Sequence, residues 1–390
     1  KEFKLKGVSI FGTGNYGAIV LSTLKEKGIK VNYFIDNNFE SIGKKFQDVL
    51  IISAKELKEK YCDQNVIIAS LNHRYLKRQL DDLGFKNYFD VDFLFNDIYF
   101  DKFVGNTWNN ERILKQLDLL NFSLNASRSS KNLNLNSLDI VLTEKCSLKC
   151  KDCSNLMQYY EKPIDNEFDD IIFSIENFFE NIDYCYEIRL IGGEPLLYKK
   201  IDKVIEKLMT HSKKFGKIII YTNGTIVPKG DRINAFKNNK IQFSISNYGE
   251  ISRNVKKLEE KLAENKISFI SERVTKWQNC AIIRKFERSE KINKEIFGNC
   301  CVNETLTLLH GRLYLCPFSA HIENLKVIKK QEGESIYLAN GDEKLRSKIR
   351  ALYFGKKFLN ACNFCNGRDH NVESIPAAEQ TKQPLSFPKY

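Results

Sequence analysis

Cys146-Ser-Leu-Lys-Cys150-Lys-Asp-Cys153 is the stretch whose reading decides the fold. Three cysteines stand at C-x3-C-x2-C spacing, directly after the apolar run Leu138-Asp-Ile-Val-Leu-Thr143. A run of that length and character reads as a buried strand. The cysteines then fall in the loop leaving its carboxyl end, where open α/β folds place their sites. Three thiolates so close in sequence can converge on one soft metal centre. Four would close a zinc site or fully ligate a cubane cluster, whereas three leave one iron of a [4Fe–4S] cluster without a protein ligand. A zinc knuckle, or cysteines packed as small hydrophobes, is the competing reading.

Outward from the loop, the segment from 138 to about 297 alternates strand and helix. Helix 167–180 precedes a strand that ends in Ile188-Arg-Leu-Ile-Gly192-Gly193-Glu194-Pro195. Helix 200–214 leads to Ile218-Ile-Ile-Tyr-Thr-Asn-Gly224, helix 230–238 to Ile241-Gln-Phe-Ser-Ile-Ser-Asn247, and helix 252–264 to Ile267-Ser-Phe-Ile270. Regular βα units imply a parallel sheet.

The cysteine spacing and the GGEP turn, in that order, resemble the radical S-adenosylmethionine (SAM) superfamily. The resemblance covers roughly 138–390 and implies a partial (β/α)6 barrel. It also implies a [4Fe–4S] cluster on Cys146, Cys150 and Cys153 whose open iron chelates SAM and donates one electron. SAM would then split to methionine and a 5′-deoxyadenosyl radical that abstracts a substrate hydrogen. By the same resemblance Gly192, Gly193, Glu194 and Pro195 bind the amino group of SAM, and Thr222, Asn223 and Ser246 hold its carboxylate and ribose. The family usually carries an aromatic residue before the third cysteine. Asp152 stands there instead, which leaves Tyr159 or Tyr160 to pack on the adenine.

Residues 298–390 carry a second cysteine set. Cys301-x9-Gly311-x4-Cys316 resembles the opening of a SPASM or twitch domain, and Cys362-Asn-Phe-Cys365 follows. Gly311 reads as the turn of a hairpin, Thr305–Leu309 then Arg312–Leu315. Cys301, Cys316, Cys362 and Cys365 supply four thiolates, enough to close a second cubane, with Cys300 able to replace Cys301. A zinc ribbon is the alternative. Too few cysteines remain for a third cluster, so the resemblance points to twitch and two [4Fe–4S] clusters in all. The tail Ile375-Pro-Ala-Ala-Glu-Gln380 resembles that of radical SAM proteins found with cell-surface sugar genes.

At the other end, Gly7-Val-Ser-Ile-Phe-Gly12-Thr-Gly14-Asn-Tyr-Gly17 is a strand followed by G-x-G-x-x-G and a helical pattern. A second strand, Val31-Asn-Tyr-Phe-Ile35, ends at Asp36. Gly12, Gly14 and Gly17 permit a tight turn and close approach of a phosphate to the helix N-terminus. Asp36 falls where an acidic residue can hold a ribose hydroxyl. A third strand at Asn65–Ala69 completes a small α/β unit. Gly7–Asn38 resembles the nucleotide-binding domain of acetyltransferases acting on UDP-sugars. The expected organisation is therefore a Rossmann-like domain (1–96), a helical connector (97–137) whose run Asn132–Asn136 reads as loop, the barrel (138–297) and the twitch-like domain (298–390).

Composition narrows the function. The net charge of +12 arises from scattered lysines such as Lys213-Lys214 and Lys256-Lys257, not from one basic block, and no nucleic-acid module is recognisable. No apolar stretch is long enough to span a membrane and no signal peptide is found, so a cytoplasmic location is expected. In a reducing compartment most of the 11 cysteines serve better as metal ligands than as disulfides. Cys62, Cys185 and Cys280 stand apart and read as structural.

Together these readings point to a radical SAM enzyme of the carbohydrate epimerase, dehydrogenase or dehydratase type. Its substrate would be a nucleotide-linked sugar in surface-glycan biosynthesis, and its partner a flavodoxin or ferredoxin-type reductant. A peptide-modifying SPASM-type maturase is the second reading. A non-enzymatic Fe–S carrier or sensor is the third, and the GGEP turn argues against it.

Overall fold

Val8–Phe11, all four residues buried, form β1 at the centre of the first sheet. Burial on both faces is the mark of a parallel strand covered by helices on each side. Around it lie β2 (Val31–Ile35), β3 (Lys45–Phe46), β4 (Val49–Ile52), β5 (Asn65–Ile68) and β6 (Tyr88–Asp90), in the order β3-β4-β2-β1-β5-β6. All neighbours pair parallel except β3 with β4. Val8 and Ile10 face one core with Val20, Leu21 and Leu24 of helix Asn15–Glu26. Phe11 faces the other, with Leu57, Leu76 and Leu80 of helices Ala54–Lys60 and His73–Asp82.

The computed structural model describes residues 6–97, 110–339, 341–369, 372–382 and 384–388. The chain divides into two units, Lys1–Ser129 and Ser130–Tyr390. Helix Asn110–Arg128, expected within a connector, belongs to the first unit. Leu120 and Leu124, one helical turn apart, enter the core of β1, and the Tyr16 hydroxyl donates to the Gln116 carbonyl at 3.1 Å. The start of the expected helical pattern, 107–109, lies outside the described residues.

The second unit is built on β7 (Asn134–Thr143), β8 (Tyr184–Gly192), β9 (Phe215–Thr222), β10 (Ile241–Asn247), β11 (Ser268–Arg273), β12 (Lys276–Gln278), β13 (Thr305–Leu309), β14 (Arg312–Tyr314), β15 (Ser335–Tyr337) and β16 (Ser374–Pro376). Eight of these form one sheet, in the order β11-β10-β9-β8-β7-β13-β14-β15. β7 to β11 are parallel neighbours, joined by helices Phe168–Asn181, Ile201–Thr210 and Val255–Glu264 and by a 3-10 segment, Gly230–Phe236, where a helix was expected. The parallel register brings the carboxyl ends at Thr143, Gly192, Thr222 and Asn247 to one edge of the sheet.

One sequence expectation is corrected here. β7 begins at Asn134, inside the run expected to be loop, because Leu133 and Leu135 are fully buried while Asn134 between them is not. Strands β13, β14 and β15 of the segment 298–390 join the same sheet as β7 to β11. β13 pairs parallel with β7, Leu306 opposite Leu138, and one core runs from Leu133 to Cys365. The β13–β14 hairpin does turn at His310-Gly311, both at positive φ (47° and 71°), as a two-residue hairpin of this hand requires. Among the described residues no helix is long and apolar enough to cross a membrane.

Candidate active site

Cys146, Cys150 and Cys153 line a cavity of about 350 Å³ at the carboxyl edge of the sheet, together with Gly192, Gly193, Thr222, Asn223 and Ser246. The two glycines are there for backbone contact. A Cβ on Gly192 would stand 2.3 Å from the Thr143 carbonyl oxygen, and one on Gly193 2.3 Å from that of Lys145. The turn is thereby pressed onto the start of the cysteine loop and held by bonds from Gly193 N to Thr143 O (2.8 Å) and from Glu194 N to Lys145 O (2.9 Å).

Glu194 and Pro195 stand behind this wall rather than in it. The Glu194 carboxylate is fully buried and accepts from Leu196 N (3.1 Å), Thr222 Oγ1 (2.9 Å) and Asn223 N (2.9 Å). Burial pushes it up to about 7, against the pull of those three donors. It joins the turn after β8 to the turn after β9. The residue so positioned is Asn223, whose side-chain amide donates to Cys146 Sγ at 3.6 Å and to Ser147 Oγ at 3.1 Å.

Each cysteine of the loop is half-buried. Burial raises Cys146 and Cys150 to about 12 and pushes Cys153 up as well. Such thiols are poor nucleophiles in isolation, but metal coordination deprotonates a thiol outright. Cys146 Sγ also accepts from Leu148 N at 3.5 Å, and Cys150 Sγ from the side chain of Gln380 at 3.2 Å. The cavity is also lined by Asp139, Arg189, Tyr221, Tyr248, Trp277 and Arg368. Arg189 donates to Glu187 at 2.5 Å and lies 3.6 Å from Asp139, which burial lifts to about 6.

Tyr159 and Tyr160, offered from sequence as aromatic platforms, are engaged elsewhere. Tyr159 donates to the Ala281 carbonyl and packs on Phe387, while Tyr160 bonds His321 Nδ1 at 2.8 Å. Tyr248 and Trp277, edge to face at 5.4 Å, are the aromatic rings that line the cavity beside Tyr221. Sequence reading passed over them, although Tyr248 directly follows the strand end at Asn247.

The second cysteine set also meets, with one exchange. Cys300, Cys316, Cys362 and Cys365 line a smaller cavity of about 30 Å³. The neighbouring Cys301 is exposed and is turned toward Cys280 and Arg368. Adjacent side chains leave the chain in different directions, so only one of the pair joins the group. Cys316 Sγ accepts from Ser319 N (3.2 Å), Cys362 Sγ from Leu359 N (3.4 Å) and Cys365 Sγ from Gly367 N (3.3 Å). Backbone donors aimed at sulfur suit a charged thiolate. Arg368 lines both cavities, and its guanidinium donates to the Ser154 carbonyl at 2.6 Å. Among the described residues no three Cys, His, Asp or Glu side chains converge as they would around a single ion. The smaller cavity is lined by four thiols with no carboxylate or imidazole beside them, a donor set of the kind that holds an iron–sulfur cluster.

In the first unit Gly12, Gly14 and Gly17 lie where β1 turns into helix Asn15–Glu26, and the half-buried Asp36 is bonded back to that turn. Its carboxylate accepts from Thr13 N (3.0 Å), Thr13 Oγ1 (2.5 Å) and Asn38 N (2.9 Å). Gly12 holds φ 117°, and a Cβ on Gly17 would stand 1.9 Å from the Gly12 carbonyl oxygen, so both are demanded by the turn itself. At Gly14 nothing lies within 4 Å of where a Cβ would be.

Comparison with known proteins agrees with the radical SAM reading of residues 140–261. Residues 140–261 match the profile of the Radical SAM superfamily, and residues 4–89 match the C2185-like, N-terminal family. A GTP 3′,8-cyclase of Desulforamulus reducens is 33% identical over 100 residues, 24% of this chain and 29% of that protein. One of Helicobacter pylori is 26% identical over 106 residues, 26% of this chain and 31% of that protein. The chain thus spans under a third of the length of these curated relatives. Among solved structures, BtrN in complex with AdoMet and 2-DOIA aligns at 16% identity over 64% of this chain and 98% of that one, with a TM-score of 0.40. SuiB of Streptococcus suis bound to S-adenosylmethionine aligns at 12% over 68% and 80%, with a TM-score of 0.37. Residues 140–261, the stretch that holds the cysteine loop and the Gly192-Gly193 turn, therefore match the Radical SAM superfamily.

Proposed function

We propose that Cys146, Cys150 and Cys153 hold a [4Fe–4S] cluster that binds SAM in the 350 Å³ cavity, and that the enzyme removes a hydrogen atom from a nucleotide-linked sugar. The observation that carries the first part is the meeting of three thiols, the Gly192-Gly193 backbone and Asn223 on one cavity. When bound, the cluster and SAM supply a one-electron cleavage and a 5′-deoxyadenosyl radical. The chain's own residues orient and enclose. Gly192 and Gly193 offer backbone to the amino group of SAM, with Glu194 and Pro195 shaping that turn from behind. Thr222, Asn223 and Ser246 edge the remainder, and Tyr248 and Trp277 provide the apolar face. Cys300, Cys316, Cys362 and Cys365 hold a second cluster, and a flavodoxin or ferredoxin-type protein supplies the electron.

The sugar reading rests on the first unit, where the open backbone at Gly14 precedes helix Asn15–Glu26 and offers N–H groups to a diphosphate. Epimerisation, oxidation and dehydration at a sugar carbon all begin with such a hydrogen transfer. A peptide substrate is the second reading. It is favoured by the engagement of the Asp36 carboxylate with Thr13 and Asn38 of its own unit.

Anaerobic incubation of the reconstituted chain with SAM, dithionite and either nucleotide sugars or peptides tests both. Formation of 5′-deoxyadenosine is expected with the wild type and absent in the Cys146/Cys150/Cys153→Ala protein. Mass change in a nucleotide sugar supports the first substrate class, and change only in peptides overturns it.

A further inference from the structure

We propose that Gln380 is a positioning residue for the first cluster, holding the Cys150 sulfur and raising the cluster's reduction potential; this rests on the cluster assignment made above. The tail segment reaches the cysteine loop from 230 residues away in sequence. It pairs there as a short antiparallel bridge, Cys150 opposite Gln380, with Thr381 N bonded to Lys149 O at 2.6 Å and Lys151 N to Glu379 O at 2.7 Å. The bridge is anchored on both sides. Upstream, β16 pairs with β12 and Ala377 N bonds Thr275 O at 3.0 Å. Downstream, Leu385 N bonds Gln158 O at 2.7 Å and Phe387 packs edge to face on Tyr159. Between the anchors, buried Ala378 sits at φ 58°, a left-handed conformation that a non-glycine residue keeps only where its surroundings enforce it.

The enforced bend presents one side chain to the loop. Gln380 Oε1 accepts from Lys149 N at 2.8 Å, while its Nε2 donates to Cys150 Sγ at 3.2 Å and to Ala378 O at 2.8 Å. Fixing both ends of the amide settles its orientation, so an N–H and not an oxygen faces the sulfur. Reduction adds negative charge to a cluster and its thiolates. A donor aimed at one sulfur stabilises that charge, and hydrogen bonds to sulfur are among the levers that set cluster potentials. Glu379, one residue earlier, makes a 3.1 Å ion pair with Lys151 in which both side chains are half exposed, and it does not touch the thiol. It provides the control.

The test is a redox titration of the full-length reconstituted chain, following by EPR the reduced signal that SAM perturbs. Gln380→Met removes the donor and leaves the backbone bridge intact. We expect full iron content and an about tenfold lower ratio of reduced to oxidised cluster at fixed potential, a midpoint shift of about 59 mV to the negative. Glu379→Gln is expected to titrate with the wild type. Should Gln380→Met lose iron, Gln380→Asn, which keeps an amide but withdraws it from the sulfur, takes its place and carries the same expectation. A SAM-sensitive signal whose midpoint is unmoved in the Gln380 variant overturns this proposal and leaves the cluster assignment standing. A wild type without any SAM-sensitive signal overturns the assignment itself and this proposal with it.

Discussion

Glu194 makes the sharpest test of how the site is held. Its carboxyl is fully buried and accepts three donors, yet burial outweighs them and sets its pKa near 7, against an ordinary 4.5. A group whose pKa is raised on folding contributes stability at low pH that is lost as the pH climbs from the unfolded value to the folded one. With values of 4.5 and about 7, most of the loss falls between pH 5 and 7.5. Integrating the two titrations over that interval gives about 2 kcal/mol. Glu194→Gln has no such titration. The stability of the wild type relative to Glu194→Gln should therefore increase by about 2 kcal/mol on going from pH 7.5 to pH 5. Urea unfolding of the two proteins at both pH values measures this. An identical difference at the two pH values would falsify the reasoning, because the three donors would then be strong enough to keep the carboxylate ionised throughout. Glu194→Ala goes further. It strips the acceptor from Leu196 N and Asn223 N, at about 1–3 kcal/mol for each buried N–H. It also frees the turn that aims Asn223 at Cys146, so SAM-dependent cleavage should fall at least about tenfold, the equivalent of 1.4 kcal/mol in the barrier.

Three other outcomes follow from the same geometry. Cys300→Ser should lower reconstituted iron from about eight toward about four per chain while Cys301→Ser leaves it unchanged; the reverse pattern in an iron assay would overturn the exchange of these two residues. Gly17→Ala must place a methyl group where the Gly12 carbonyl stands, and should destabilise the first unit by about 3 kcal/mol or more, whereas Gly14→Ala, facing open space, should change its unfolding midpoint little. His321 is buried and depressed to about 3. The Asn324 amide donates to the Tyr160 oxygen at 2.9 Å, so the Tyr160 hydroxyl in turn donates to Nδ1 of a neutral ring. A depressed pKa gives stability that is present above the unfolded value and lost as the pH falls toward the folded one. His321→Gln should accordingly flatten the acid limb of the second unit's stability curve below about pH 6.5; an acid limb as steep as the wild type's would count against a neutral ring.

What the sequence made legible and what it hid divide along contact range. The cysteine loop and the GGEP turn were readable because chain distance alone forces their partners together. Cys146, Cys150 and Cys153 share one loop, and a glycine pair after a strand announces close backbone approach. The strands β7 to β10 were readable because each carries closely spaced apolar residues that a sheet core buries, as at Leu138–Leu142, Ile188–Ile191, Ile218–Ile220 and Ile241–Ile245. Everything missed depends on distant chain. The Asn132–Asn136 run looks like loop until the burial of Leu133 and Leu135 is known. Cys300 and Cys301 are indistinguishable by spacing, and only the folded chain shows that Cys300 lines the cavity with Cys316, Cys362 and Cys365. Asp36 has the position of a ribose ligand, but Thr13, brought back by the glycine turn, takes its carboxylate first. Glu194 is an instructive middle case. Its motif was recognised, yet its carboxylate holds Asn223 in place behind the cavity wall instead of facing the cavity. Motif residues thus fall into two kinds here: those that present atoms to the cavity, and those that hold such residues in position. Only side-chain bonding separates them. By the same criterion Gln380, which lies in no cysteine or glycine motif, belongs with Asn223 as a residue that directs an N–H at a loop sulfur.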